Sequence, residues 1–529
     1  MPTNHRHFLF LIDSGVFMNT TRRFRARLIV LILCAGSLIL ILYSFLPPTH
    51  KKDQQTYRAN YHFTVPDHWK NDPQRPIYQD GKYHYYYLYN RDYPHGNGTE
   101  WRHATSTDLV HWKDEGVAIP KYTNPNGDPW SGSVVMDGNN TAGFGKNALI
   151  AIVTQPSADE GKQEQYLWYS TDKGTTFKPY SDKPVLPNPG TTDFRDPKVI
   201  WNSESHRWVM SMAEGTKVGF YESSNLKDWK YTGAFITENI GLVECPDLYL
   251  MRAIDGTNKW ILGVSANGKA AGKPNTYAYW TGDFNGKEFN ADYSEPQWLD
   301  YGFDWYGAVT FEDGNSSDKY SHRFALAWMN NWKYAHETPT LREGFNGMDS
   351  IVRQIMLQQG NNGNYRLVSQ PAHALEHLTQ ATDYFNQIIV NGTHTLPVTG
   401  DSYKLDADLS WSELKNAGIR VRESQGRTRH VDVGVFITGG YTYVNRAYTG
   451  QPDKSGQYLE SRAPFDVSKK KVHLKIFVDK TSTEAFIDDG AVVYSSVVFP
   501  KPDDKGVTLF SEGGTAIFRD VRIQHFISE

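Results

Sequence analysis

Beyond residue 60 the chain returns repeatedly to one short apolar strand. It appears as Tyr83 to Leu88, Leu149 to Val153, Trp208 to Met212, Trp260 to Val264 and Arg323 to Trp328. The midpoints recur roughly every 50 to 65 residues, the spacing of a propeller repeat. Four of these strands are followed by a second echo, an Asp or Asn in a turn and then an aromatic: Asp108 to Trp112, Asp172 to Phe177, Asn225 to Trp229 and Asp283 to Phe289. Four short strands per unit, five times over, predict a five-bladed β-propeller across residues 59–357.

After Ile351 to Leu357 the pattern changes. Residues 358–382 are read as a linker, with Pro371 to Leu378 as a short connecting helix. From 383 to 529, strands follow at short intervals, among them His430 to Phe436, Tyr441 to Asn445, Val472 to Val478, Thr483 to Ile487, Val492 to Val498 and Thr515 to Ile523. Gly439-Gly440, Asp488-Asp489-Gly490 and Gly513-Gly514 punctuate them, so this second all-β unit is expected to be a sandwich. The fold class expected is therefore all-β, a five-bladed β-propeller followed by a C-terminal β-sandwich.

The N-terminus follows a different pattern. Residues 1–27 end in the basic cluster Arg22, Arg23, Arg25 and Arg27, and 28–46 carries no charge over a length that spans a bilayer as a helix. The positive flank predicts a cytoplasmic N-terminus, and no small-x-small cleavage site closes the run. The expectation is an uncleaved signal anchor at 28–46, a spacer at 47–58, and a catalytic portion held outside the cell membrane; secretion is the alternative.

Composition narrows the chemistry. The net charge is -4 over 529 residues and no basic run lies outside the N-terminus, which argues against a nucleic-acid partner. The two cysteines, Cys34 and Cys245, lie in unrelated contexts, and no Cys or His pair has ligand spacing. No metal, cofactor or disulfide is expected, and the chain is expected to act as a monomer. The 15 Trp and 32 Tyr suit stacking on sugar faces and equally suit a large β core.

Three acidic motifs stand before repeated strands, each pinned by a proline: Asn71-Asp72-Pro73, Arg195-Asp196-Pro197 and Glu244-Cys245-Pro246. Proline fixes φ and steers the preceding residue toward extended backbone. Alone, an Asp-Pro pair is common turn chemistry. Here Asp72 lies about ten residues before its repeated strand, Asp196 about a dozen and Glu244 about sixteen, and equivalent positions of successive blades face one channel. Trp130-Ser131 and Trp305-Tyr306 hold similar places in the second and fifth units. Five motifs, three acidic, therefore converge on one funnel with the carboxylates that sugar cleavage requires.

Trp69 to Pro73, Trp130 to Ser133, Phe194 to Pro197, Glu244 to Asp247 and Trp328 to Trp332 together resemble the family 32 glycoside hydrolases, which include levanases, inulinases and invertases. The resemblance extends to Val478 to Phe486 in the second unit. Asn90 to Pro94 and Gly302 to Tyr306 resemble the members that release levanbiose from levan, the β-2,6-linked fructan. It implies a retaining fructosidase with Asp72 as nucleophile, Glu244 as general acid/base and Asp196 as transition-state stabiliser. It further implies that Trp69, Asn71, Trp101, Trp130, Ser131, Arg195, Trp305, Tyr306 and Trp332 contact the substrate.

Departures from the family pattern, Gln74-Arg75 after the first Asp-Pro, Leu88 in the first repeated strand and Arg102 beside Trp101, are expected at the mouth of the pocket, where they would suit a polymer better than sucrose. Arg75 and Arg102 read equally well as ordinary surface pairs. An exo-fructosidase, inulinase, invertase or fructosyltransferase of the same family, an inverting propeller hydrolase and a tethered fructan-binding protein remain open alternatives.

Overall fold

Five sheets stand in a ring, each built around antiparallel strands close together in sequence. In the computed structural model, which describes residues 55–526 except 96–97, 238 and 361, the first blade comprises His68–Gln79, Lys82–Asn90, Glu100–Ser106 and Lys113–Ile119. The second comprises Gly132–Asp137, Ala148–Pro156, Gln163–Ser170 and Lys178–Pro179; the third Arg195–Asn202, Arg207–Ala213, Lys217–Ser223 and Lys230–Ile236. The fourth uses Val243–Arg252, Asn258–Ala266 and Tyr277–Phe284 with short outer strands, and the fifth Tyr306–Phe311, His322–Trp328, Arg353–Gln359 and Tyr365–Pro371. First strands of successive blades neighbour one another, and the fifth returns to the first.

The repeated apolar strand is the second of each blade, and it is buried on both faces because each blade packs against two others. One apolar cluster fills each gap. Tyr86, Leu88 and Trp101 of blade one meet Val134, Leu149 and Trp168 of blade two, for example. The second echo is turn chemistry in three blades. Asp108, Asp172 and Asn225 each accept backbone N–H bonds two to four residues on, and Leu109, Lys173 and Leu226 take positive φ. In blade four Asp283 lies within a strand, and Asn285 makes the turn instead.

The ring is closed by the loop after the second strand of blade five. Phe345–Asn346 runs parallel to His68–Trp69, and Lys70 of blade one donates to buried Asp349 on that loop.

Residues 358–382 are not a linker throughout. Tyr365–Pro371 pairs with Arg353–Gln359 as the outer strand of blade five, since its apolar positions Leu367 and Val368 need that blade to be buried. A 3-10 turn at His373–Leu378 then leads into the C-terminal unit. There, the long strands Thr379–Thr399 and Gly506–Phe526 bend at bulges and take part in both layers. Residues 516–526 pair with Tyr403–Trp411, which continues to Lys471–Asp479, Ser482–Ile487 and Val492–Val497. Residues 506–512 pair with Asn416–Glu423, which continues to Val431–Phe436, Tyr441–Asn445 and Glu460–Pro464. The two layers enclose one apolar core.

Sandwich and propeller are joined by buried ionic contacts, and residues 55 onward form one compact unit. His62 bonds Asp479 at 2.9 Å and Glu484 at 3.0 Å, Arg353 bonds Glu484 at 2.8 Å and Asp300 at 2.7 Å, and Arg446 bonds Asp304 at 2.7 Å. The run from Val478 to Phe486 thus anchors the propeller through its two acids. The segment 28–46 lies outside the described residues, and among the described residues no helix is long and apolar enough to cross a membrane.

Candidate active site

Each acidic motif opens the first strand of its blade at an irregularity in the pairing. Register shifts fall between Lys70 and Pro73 and between Glu244 and Asp247, and Ser211 to Ala213 is out of step opposite the start of the third blade's first strand. Proline suits such positions because it has no N–H to give to the ladder. Contrary to the extended backbone expected before proline, Asp196 has φ +62° and Cys245 φ +46°. These bulges turn the side chains out of the sheet and into the channel, where backbone strain of this kind gathers at functional sites.

Asp72, Asp196 and Glu244 are brought together around Cys245. The Cys245 thiol lies 3.7 Å from Asp72 Oδ2 and 3.6 Å from Asp196 Oδ2, and its backbone N–H donates to Asp196 Oδ2 at 2.9 Å. Ser131 Oγ donates to Asp72 Oδ2 at 2.8 Å. Asp72 Oδ1 is buried without a hydrogen-bond partner. Gly307, at φ +62°, makes that possible, for a Cβ there would sit 2.9 Å from Oδ1. Glu244 Oε1 accepts from Arg195 at 3.1 and 3.2 Å, and its Oε2 accepts from the Tyr306 hydroxyl at 2.5 Å. Arg195 is held in turn by Asp193 at 2.5 Å.

Burial first, and then the charge of Glu244, raises the Asp72 carboxyl above its ordinary value, against hydrogen bonds from Ser131, Asn71 and Cys245. Burial pushes Asp196 further, to about 7; Arg195 opposes the shift while Glu244 and Asp72 add to it. Beneath them, burial holds the Lys198 ammonium down to about 8 despite Asp247 nearby. Among the described residues no group of three potential metal ligands occurs.

The residues expected to contact substrate divide into three sets. Ser131, Arg195 and Tyr306 touch the acids directly, and Asn71 sits beside Asp72, where it accepts from the Trp69 indole at 3.0 Å. Trp332, 46% exposed, stands at the rim against Trp328 and Trp69, while partly buried Trp130 is fixed through its backbone to Thr154 and Trp101. Trp101 and Trp305, expected at the substrate, do not reach the channel. Both are 0% exposed, with indole N–H groups bonded to the Trp130 carbonyl and Ser350 Oγ. They are core residues supporting the site from behind, since an aromatic beside a motif fills an inter-blade gap as readily as it faces a channel.

The expected mouth residues are also placed elsewhere. Gln74 is buried, donating to the Asp72 carbonyl and accepting from Gly132 N–H at 2.9 Å, so it braces the nucleophile's strand. Arg75 bonds the Val199 carbonyl at 2.8 Å. Leu88 lies in the core between blades one and two, and Arg102 forms a two-bond pair with Asp114 at 2.8 Å. Sequence reasoning missed Gly307 and His336, placed Gln74 at the mouth, and held Tyr93 only within the run Asn90 to Pro94. Gly307 directly follows the Trp305-Tyr306 pair, whereas nothing in one dimension joins Tyr93 to His336.

Comparison with known proteins agrees with this geometry. Residues 62–371 match the glycosyl hydrolases family 32 N-terminal domain and residues 374–525 the glycosyl hydrolases family 32 C terminal domain. The chain is 67% identical over 496 residues to a levanbiose-producing levanase of Bacillus subtilis (strain 168), covering 92% of this chain and 96% of that one. It is 70% identical over 396 residues to a levanbiose-producing levanase of Geobacillus stearothermophilus, covering 75% and 100%. The crystal structure of exo-inulinase from Aspergillus awamori superposes with a TM-score of 0.81 at 30% identity, covering 90% of this chain and 99% of that one.

Proposed function

Because the chain belongs to glycosyl hydrolase family 32, we propose that this enzyme hydrolyses levan with retention of configuration and releases chiefly the disaccharide levanbiose. The observation that supports it most is the meeting of Asp72, Asp196 and Glu244 around Cys245, with Ser131 Oγ and the Cys245 thiol orienting Asp72 Oδ2. A nucleophile needs a fixed orientation and an acid/base group in the same site. The Asp72 carboxylate attacks the anomeric carbon as Glu244 gives its proton to the departing oxygen, forming a fructosyl ester. Glu244 then takes a proton from water, and the water oxygen displaces Asp72.

Arg195 and Tyr306 donate to Glu244, so they favour its charged form as the proton leaves. Asp196 is placed by the Cys245 N–H to accept from ring hydroxyls, with most effect where the ring carries positive charge in the transition state. Two relatives with levanbiose in their names, alike over most of the chain, support the substrate and the product. The test is a side-by-side product profile on levan, inulin and sucrose. The disaccharide from levan, formed faster than any product of the other two, is expected; sucrose cleavage at a comparable rate would overturn the specificity.

We also propose that 28–46 anchors the enzyme at the cell membrane with residues 59 onward outside. That rests on the uncharged run and its arginine flank. Fractionation should find the full chain with membranes and a form starting near Tyr57 soluble and active; full-length protein processed into the medium would refute the anchor.

A further inference from the structure

Two loops on different blades meet beside the nucleophile. Tyr93, following the second strand of blade one, and His336, in the closing loop of blade five, are joined by a hydrogen bond between the Tyr93 hydroxyl and His336 Nδ1 at 3.0 Å. Their ring centroids lie 4.9 and 4.8 Å from that of Trp69, and 5.7 Å from each other with planes 25° apart. Opposite faces of the indole would place them about 10 Å apart, so the two rings lie side by side on one face of Trp69. They form a tier one residue layer removed from the chemistry, because the Trp69 indole donates to Asn71, the neighbour of Asp72. Trp69 packs with Tyr306, Trp328 and Ala335, which makes the mount rigid. The tier remains open to solvent, with His336 exposed and Tyr93 half-buried.

Its position relative to the acids decides what it can hold. Glu244 and Arg195 stand on blades four and three, so the leaving group departs on that side. Tyr93, His336 and Trp69 belong to blades one and five, on the nucleophile's side of the ring. We propose that Tyr93 and His336 form the end wall of the pocket on the retained side, where they stack on and hydrogen-bond the terminal fructosyl unit one sugar beyond the cleavage point, and so set a two-sugar product. This rests on the proposed levan hydrolysis. A chain can then be cleaved only after its end has passed the first sugar position and met the wall. Aromatic faces with polar edges suit a furanose ring, and a hydrogen-bonded pair fixes their spacing.

The test compares wild type with His336→Ala, Tyr93→Ala and Tyr93→Phe in the full chain, using levan and sucrose as substrates and melting as a folding control. Sucrose places no sugar at the wall. The proposal expects kcat/KM on levan to fall about tenfold or more relative to that on sucrose in the two alanine variants, with free fructose and longer products appearing at the disaccharide's expense. Tyr93→Phe, which keeps the ring and loses the bond, should show a smaller shift of the same sense. Alanine variants that still release the disaccharide at an unchanged levan-to-sucrose ratio would overturn the wall while leaving levan hydrolysis intact. A wild-type enzyme releasing only fructose from levan would overturn both the wall and the proposed disaccharide product.

Discussion

Replacing Asp196 by Asn should cost the enzyme its activity and gain it stability, with the gain appearing only above acid pH. Asp196 is buried between Asp72, Glu244 and Cys245 and titrates near 7 in the folded protein. In the unfolded chain an Asp titrates near its ordinary 3.8. The folded state therefore holds the proton more tightly, and wild type loses stability as pH rises from the unfolded value through 7. About three pKa units at about 1.4 kcal/mol each give a ceiling of about 4 kcal/mol at alkaline pH. Sharing of charge with Asp72 and Glu244 brings the expected effect to about 1–3 kcal/mol.

Asn cannot ionise, yet its oxygen can still accept from the Cys245 N–H, and Arg195 keeps Glu244 and Asp193 as partners. Urea unfolding of both proteins at pH 4 and pH 8.5 measures the difference directly. The variant should match wild type at pH 4 and exceed it at pH 8.5, with levan hydrolysis down at least about a hundredfold. A variant less stable than wild type by the same amount at both pH values would refute the reasoning, since burial would then not be straining this carboxylate.

Gly307→Ala should lower kcat on levan about a hundredfold with a stability loss of only about 1 kcal/mol, because its Cβ would displace Asp72 Oδ1 by tenths of an ångström at a positive φ; near-normal turnover would remove Gly307 from the site. Burial alone would lower the His62 pKa, but its bonds to Asp479 and Glu484 raise it to about 9, so its contribution is complete below its ordinary 6.5 and lost as pH rises through 9. His62→Gln should therefore be less stable than wild type by about 3 kcal/mol at pH 6 and show a flatter stability profile between pH 7 and 10. Leu88→Gln should destabilise by about 2 kcal/mol or more without altering the product profile, since Leu88 packs between blades one and two; a shift toward fructose would restore it to the pocket.

The blades and the acidic trio were legible because both rest on repetition. A strand that returns at a fixed interval announces its neighbours, and Asp72, Asp196 and Glu244 hold equivalent places in three returns. Trp101 and Trp305 were misread because a tryptophan beside a motif looks the same in sequence whether it faces the channel or the next blade. Only the partners of the indole N–H separate the cases, and these are Trp130 and Ser350. Leu88, Gln74 and Arg102 show the same limit. Departure from a family pattern marked them, but their locations depend on which strand face meets the neighbouring blade. Gly307, Tyr93 and His336 draw their meaning from contacts between first and fifth blades, made only when the ring closes.

The central claim, that Asp72 cleaves fructan by way of an ester and so retains configuration, is tested most directly by running levan hydrolysis by the wild-type enzyme in water containing methanol and reading the anomeric configuration of the methyl glycoside by NMR. Two displacements at the same carbon predict a methyl glycoside of β configuration, matching the bond cleaved. An α-configured product would mean a single displacement and would contradict the role assigned to Asp72.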